Sequence, residues 1–189
     1  MTSTVRFVGL GGSFRPGSSS AKAMQVALDF LSSRGHATTS LLLSDLKLPG
    51  FETCERLEDY PESVHRLLRE VRAAHGLVLA TPVYHGTLSG GMKNALDFLE
   101  YLSKDPQPYL TGKVIALIST SGGLPGVNAI NTMDYISRAL HGWVCPTTVA
   151  IPNSNRQFDP DGRLKDEKIL ERIRKMALEL EFAVTRFQS

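Results

Sequence analysis

The sequence predicts one α/β domain over residues 1–189, a doubly wound sheet of five parallel strands with helices on both faces. Two patterns carry that reading. Short apolar runs alternate with amphipathic segments along the whole chain. Three of the runs are nearly continuous in apolar residues, as expected for parallel strands covered on both faces. The size agrees, because 189 residues with 42% hydrophobic side chains suit one core that needs neither disulfide nor metal.

Taken in order, the strand candidates are residues 5–9, 39–43, 76–80, 114–119 and 144–151. The first, third and fourth are the continuous ones. Between them, Met24, Ala27, Leu28 and Leu31 share a helical face, as do Val64, Leu67, Leu68 and Val71. Met92, Ala95, Leu96 and Leu99 repeat the same spacing. Ile130, Met133 and Leu140 mark a less regular fourth helix. Ile169, Ile173, Met176, Leu180, Ala183 and Phe187 form a clear last stripe, with Asp166 and Glu167 at the end where acidic groups suit the helix dipole. Pro146 lies inside the fifth strand candidate, so that strand belongs at an edge, where a missing N–H is tolerated. In the order 2-1-3-4-5 it is one, and ligands of such sheets lie outside the carboxyl ends of the strands. Pro82 is expected to stop the third strand.

Composition excludes several classes. The net charge of +2, from 21 basic and 19 acidic residues, shows no basic stripe for nucleic acid. The two cysteines, Cys54 and Cys145, lack metal-ligand spacing, and a reduced, cytoplasmic setting follows most simply. The N-terminus lacks the features of a signal peptide, and no apolar run approaches the roughly 20 residues that cross a bilayer. The expectation is a protein with no membrane, nucleic-acid or metal partner.

The loop after the first strand reads Gly9-Leu10-Gly11-Gly12-Ser13-Phe14-Arg15-Pro16-Gly17-Ser18-Ser19-Ser20. Phe14 breaks a Rossmann fingerprint and no lysine completes a Walker A loop. What remains is a nest of hydroxyls and one arginine at a helix start, where unpaired N–H groups and the dipole favour an anion. Ser18 or Ser19 as a plain helix cap is the simpler alternative, but an arginine and several serines exceed what one cap requires. The loop after the third strand, residues 80–98, carries Gly86, Gly90 and Gly91, aromatic surface at Tyr84, and no acid, base and nucleophile set. By itself it reads equally as a ring-edge contact or as a glycine-rich connection with a solvated His85. Residues 119–126, rich in Ser and Gly, would alone be an ordinary turn. Tyr109, Tyr135 and Trp143 stand as aromatics that could reach a substrate pocket, although single aromatics are more often core or interface.

Two of these loops together resemble the NADPH-dependent FMN reductase family of flavodoxin-like proteins. Gly12, Ser13, Arg15 and Ser18 match its Gly-Ser-x-Arg-x-x-Ser. Thr81, Pro82, Tyr84, Gly90, Lys93, Asn94, Ala95 and Asp97 match its Thr-Pro-x-Tyr followed by Gly and Lys-Asn-Ala-x-Asp. The chain departs at Val83, His85 and Ser89, where many members carry Glu, Asn and Pro. The Pro-Val-Tyr and Ser-Gly variants, at Val83 and Ser89, resemble the branch that supplies reduced FMN to sulfonate monooxygenases, and quinone or other reductases stay open too. The resemblance implies a flavodoxin-like fold and an enzyme that transfers hydride from NADPH or NADH through FMN to a small acceptor such as free flavin or quinone. It implies FMN phosphate on Ser13, Arg15, Ser18, Ser19 and Ser20. Pro82, Val83, Tyr84, His85 and Gly86 would border one edge of the ring, and Thr120, Ser121, Gly122 and Gly123 another. No side-chain acid or base is expected to be catalytic. A homodimer or homotetramer is implied, with residues 101–110 as a candidate contact. The alternative is a flavodoxin-like electron carrier reduced by a protein partner, but carriers of that kind are strongly acidic with Thr-rich phosphate loops. A receiver-type domain would need acidic residues where Gly11, Gly12 and Ser13 stand.

Overall fold

The computed structural model describes residues 5–124 and 126–187. Residues 1–4, within the N-terminus weighed above as a leader, and Pro125 of the fourth-strand loop lie outside them. Along the chain come β1 (Arg6–Gly11), α1 (Ser19–Ser33), β2 (Ala37–Leu42), the short α2 (Leu43–Leu46) and α3 (Glu62–Ala73). There follow β3 (Gly76–Tyr84), β4 (Thr87–Leu88), α4 (Gly90–Asp97), β5 (Val114–Thr120) and α5 (Val127–Ala139). The chain ends on β6 (Trp143–Val144), β7 (Val149–Ile151) and α6 (Glu167–Phe187).

The parallel path is β2-β1-β3-β5-β6, which is the expected 2-1-3-4-5 order of the predicted strands. Alternation along each strand builds two cores. Leu77 and Leu79 of β3 face the cluster that holds Val64, Leu67, Met92 and Met133 of α3, α4 and α5. Val78 and Ala80 face Met24 and Leu28 of α1 and Ile173, Met176 and Leu180 of α6. Each fully buried Leu, Val or Ile of this kind contributes about 1.5–3 kcal/mol. The predicted stripe of α6 holds except at its end, where Phe187 stays half-exposed. Asp166 caps that helix, its Oδ1 accepting from the Lys168 N–H at 2.9 Å.

The sheet has seven strands among the described residues, not five. The expected fifth strand is broken into β6 and β7, both paired in parallel with β5. Pro146 has no N–H to give the ladder, and the next N–H, of Thr147, donates instead to Glu179 of α6 at 2.9 Å. The broken strand is at the sheet edge, as its proline requires. The second extra strand arises because Pro82 does not stop β3. Pairing with β1 ends at Ala80, so one side of β3 is free by Pro82, while the other side still pairs with β5 at Thr120. β3 then turns back into β4 as a hairpin, Val83 opposite Leu88 and Tyr84 opposite Thr87. Its two-residue tip, His85 and Gly86, has positive φ at both positions (49° and 86°), the geometry of a type I′ turn.

Two polar contacts fix this frame. Ser89, 3% exposed, caps α4 by accepting from the Met92 N–H at 3.0 Å. Its own N–H donates to Thr81 Oγ1 at 3.0 Å, and its hydroxyl donates to the Gly12 carbonyl. The end of β1, the end of β3 and the start of α4 are thereby joined. A Cβ at Gly12 would lie 2.8 Å from Met92 Cβ, so only glycine lets the first loop come this close. On the other face, Glu181 of α6 accepts from Arg34 Nε at 2.6 Å and bonds His36 Nε2 at 2.7 Å. Burial pushes the Glu181 carboxyl up, but its bonds and attraction to Arg34 and His36 outweigh this and hold it below its ordinary value.

Ser89→Ala removes the cap, the hydroxyl's bond to the Gly12 carbonyl and the bond it accepts from Thr81 Oγ1 at 3.4 Å, while keeping the backbone N–H bond to Thr81. It is expected to cost about 2 kcal/mol, read as a fall in Tm of about 4–8 °C. Glu181→Gln is expected to lower Tm by about 2–4 °C at pH 7. A depressed carboxylate stabilises only above its unfolded value near 4.3, and that contribution is lost as pH falls through the lower folded value. The gap between wild type and Glu181→Gln in thermal melts should therefore close in strong acid; a gap that stays constant from pH 7 to 3 would show that the charge is idle.

Candidate functional site

β1, β3 and β5 are adjacent and parallel, so their carboxyl ends deliver three loops to one edge of the sheet. The Gly12 N–H donates to the Ala80 carbonyl at 2.8 Å, which carries the β1–β3 pairing into the first loop. Gly17 has φ +63°, and Ser18 then caps α1 by accepting from the Ala21 N–H at 3.3 Å. Ser13 Oγ accepts from the Arg15 N–H at 3.1 Å, and Ser18 Oγ lies 3.2 Å from Ser20 Oγ. The serines are therefore set by local turn geometry, whereas the exposed Arg15 guanidinium has no hydrogen-bond or ion-pair partner among the described residues.

These groups line a cavity of about 250 Å³ together with residues of the other two loops. Of the residues expected from the sequence, Ser13, Arg15, Ser18, Ser19, Ser20, Pro82, Val83, Tyr84, Thr120 and Gly122 all line it. Among the described residues its ionisable side chains are Arg15 and Tyr84 alone. The cavity is thus cationic and hydroxyl-rich beside α1 and apolar beside β3. A Cβ at Gly122 would meet no protein atom within 4 Å, so the β5 loop leaves open space at that wall.

Four expected residues are not among its lining. His85 and Gly86 are carried away at the hairpin tip. Ser121 closes its own turn, its hydroxyl donating to the carbonyls of Gly123 and Leu124. The Gly123 carbonyl accepts from the Asn153 N–H at 3.1 Å. Two lining residues were not foreseen, Ser154 and Asn155, which follow β7. The available signal was their place: a polar turn after the fifth strand, at the same carboxyl edge.

The later part of the second motif serves the scaffold. Asn94 donates to the Pro49 carbonyl and accepts from the Phe51 N–H, both at 2.8 Å, pinning the loop before α3. Lys93 pairs with Asp97 at 2.6 Å, one helical turn on, and Ala95 is fully buried. The three aromatics weighed for a substrate pocket line other depressions. Tyr109 and Trp143 belong to the opposite edge of the sheet and Tyr135 to a groove between α4 and α5. Of residues 101–110, Leu102 and Leu110 are buried, Tyr101 joins an aromatic cluster with Phe51, Tyr60 and Phe98, and Asp105 pairs with Arg72 at 2.7 Å.

A larger cavity, about 590 Å³, opens at the amino ends of the strands, beside His75, Lys113 and Trp143. Its polar groups have structural work. Lys113 Nζ donates to the carbonyls of Arg72 and Ala74 (3.0 and 2.7 Å), closing the end of α3. His75 Nδ1 accepts from the Arg6 N–H at 2.9 Å. Burial lowers the pKa of both, assisted at His75 by the charges of Lys113 and Arg6 and at Lys113 by Arg72.

The chain is similar to known flavin reductases. The sequence profile of the NADPH-dependent FMN reductases matches residues 5–156. An NAD(P)H-dependent FMN reductase of Pseudomonas aeruginosa is 28% identical over the full length of both chains. The NADPH-dependent FMN reductase ArsH of Shigella flexneri is 29% identical over 93% of this chain and 67% of its own. In fold, the chain is similar to FerB of Paracoccus denitrificans, a flavoenzyme described as an NAD(P)H:(acceptor) oxidoreductase, with a TM-score of 0.76 and 23% identity over 98% of each chain. Among the described residues no helix is long and apolar enough to cross a membrane and no group of three or more His, Cys, Asp or Glu side chains is placed to hold a metal ion. The chain belongs to the NADPH-dependent FMN reductase family, and it is an NAD(P)H-dependent flavin oxidoreductase that works with FMN.

Proposed function

We propose that the carboxyl-edge cavity is where this reductase holds FMN and where NAD(P)H and then a small acceptor meet it. The observation that carries the reading is Arg15. Its guanidinium has no partner among the described residues, and it shares one cavity with the four serines of its own loop and the N-terminus of α1. A phosphomonoester fits that donor set, with Arg15 supplying a charge-assisted bond and the hydroxyls of Ser13 and of Ser18 or Ser20 supplying neutral ones, while Ser19, whose hydroxyl holds the Ser154 carbonyl, adds its place at the helix N-terminus. Pro82, Val83 and Tyr84 offer apolar surface to a ring, and the open wall at Gly122 leaves room for its edge.

Bound FMN supplies the hydride-accepting and hydride-donating chemistry. The chain's part is to fix the flavin by its phosphate, keep one ring face accessible, and hold donor or acceptor about 3–3.5 Å away in the right orientation. No lining side chain is suited to act as a carboxylate acid or base, consistent with that division of labour.

Phe14, Tyr84 and Leu124, on the three loops, are 59%, 49% and 87% exposed. Such apolar surface beside a ligand site suits cover by a second copy of the chain, and we read the working form as a homodimer or homotetramer. The whole chain then acts as one FMN-binding domain in the cytoplasm, with small acceptors as its partners.

An anaerobic absorbance spectrum of protein with FMN, before and after NADPH, tests the activity. Bleaching of the flavin band at catalytic rates is the expected outcome; a band that stays oxidised would leave an electron carrier reduced by a partner protein. Arg15→Ala is expected to weaken FMN binding by about 10- to 100-fold in a fluorescence titration. Unchanged affinity would remove Arg15 from the phosphate site.

A further inference from the structure

The cavity has a wall that neither motif marks. It is the turn after β7, and the broken edge strand brings it there. β7 rejoins the sheet opposite Ile118–Thr120, the carboxyl half of β5, and so releases the chain at the edge where the three loops meet. The turn is then tied from both sides. Asn153, at φ +48°, donates its N–H to the Gly123 carbonyl, and the Ser154 N–H donates to the Ser121 carbonyl at 2.8 Å. From α1, Ser19 Oγ donates to the Ser154 carbonyl at 3.2 Å. The 3-10 turn Ser154–Arg156 is therefore held against the arginine–serine loop and the β5 loop together.

That anchoring uses backbone groups, which leaves the side chains free. Asn155 lines the cavity with Arg15 and the serines, it is exposed, and its amide has no protein partner among the described residues. A phosphomonoester carries about −1.5 to −2 charges at pH 7 and several strong acceptor lone pairs. Arg15, the one cation in the lining, cannot satisfy these alone. A neutral amide donor on a fixed turn adds a bond without adding charge.

We propose that Asn155 is a phosphate-binding residue of this flavin site, donating its side-chain N–H to the phosphate held by Arg15, and that it helps the protein choose phosphorylated flavin over riboflavin. This rests on the reading of the cavity as the FMN site. The opposing view, that Asn155 is only a solvated turn residue, predicts no effect of its replacement on any flavin.

The test is a set of fluorescence titrations of FMN and of riboflavin against wild type, Asn155→Ala, Asn155→Asp and Arg15→Ala, with thermal melts alongside. Asn155→Ala should weaken FMN about tenfold and leave riboflavin unchanged. Asn155→Asp, which sets a carboxylate against the phosphate, should weaken FMN about 100-fold, again with riboflavin unchanged. If Arg15→Ala loses the preference for FMN while both Asn155 variants keep it, this inference falls and the site stands. If either Asn155 variant weakens the two flavins equally, the residue supports the fold and the inference again falls. If wild type itself binds FMN and riboflavin alike, the phosphate reading of the cavity fails, and this inference with it.

Discussion

The site depends on one buried side chain that was not foreseen as important. The hydroxyl and N–H of Ser89 bind the Gly12 carbonyl, the Thr81 hydroxyl and the Met92 N–H. The register of the parallel strands puts the ends of β1 and β3 side by side, but backbone pairing goes no further into the first loop than the Gly12 N–H on the Ala80 carbonyl. Beyond that bond something else has to hold two loops and a helix start together. A proline here would have neither a hydroxyl to cap α4 nor an N–H to reach Thr81. Serine supplies both and becomes a lock inside the scaffold.

On that lock rests a cavity whose polarity changes from one end to the other. At α1 it presents hydroxyls, helix N–H groups and an arginine with no partner among the described residues. At β3 it presents proline, valine and tyrosine. FMN has the same division, an anionic phosphate at one end and a flat ring at the other. The absence of carboxylates from the lining among the described residues matters as much as the presence of Arg15, since a negative charge there would repel the phosphate of the FMN proposed to bind in it. A protein built this way leaves the redox step to its cofactor and acts through position and access.

The opposite edge of the sheet shows why size and shifted titration do not by themselves find a functional site. The cavity there is larger, and Lys113 and His75 beside it both titrate below their ordinary values. Yet Lys113 closes α3 and His75 accepts from the start of β1. Burial shifts such groups wherever they serve as internal caps, and the carboxyl edge, whose arginine has no partner among the described residues, is the place we propose for the ligand.

The sequence by itself determined the α/β class, the order of the main strands and the two motifs that lie at the carboxyl edge. Period-two and period-3.6 patterns and the arginine–serine loop are local, and local patterns survive in one dimension. Pro146 was legible as an edge residue for the same reason. Only the tertiary structure decided that β3 runs through Pro82, because that depends on β1 having ended while β5 continues. The same holds for the hairpin that carries His85 and Gly86 out of the cavity, and for Ser121, whose hydroxyl turned to its own loop. Ser154 and Asn155 lie about 140 residues from Ser13 and Arg15, and their shared wall exists only because β7 pairs with the carboxyl half of β5. Contacts between distant segments are set by packing and register, which no local pattern encodes.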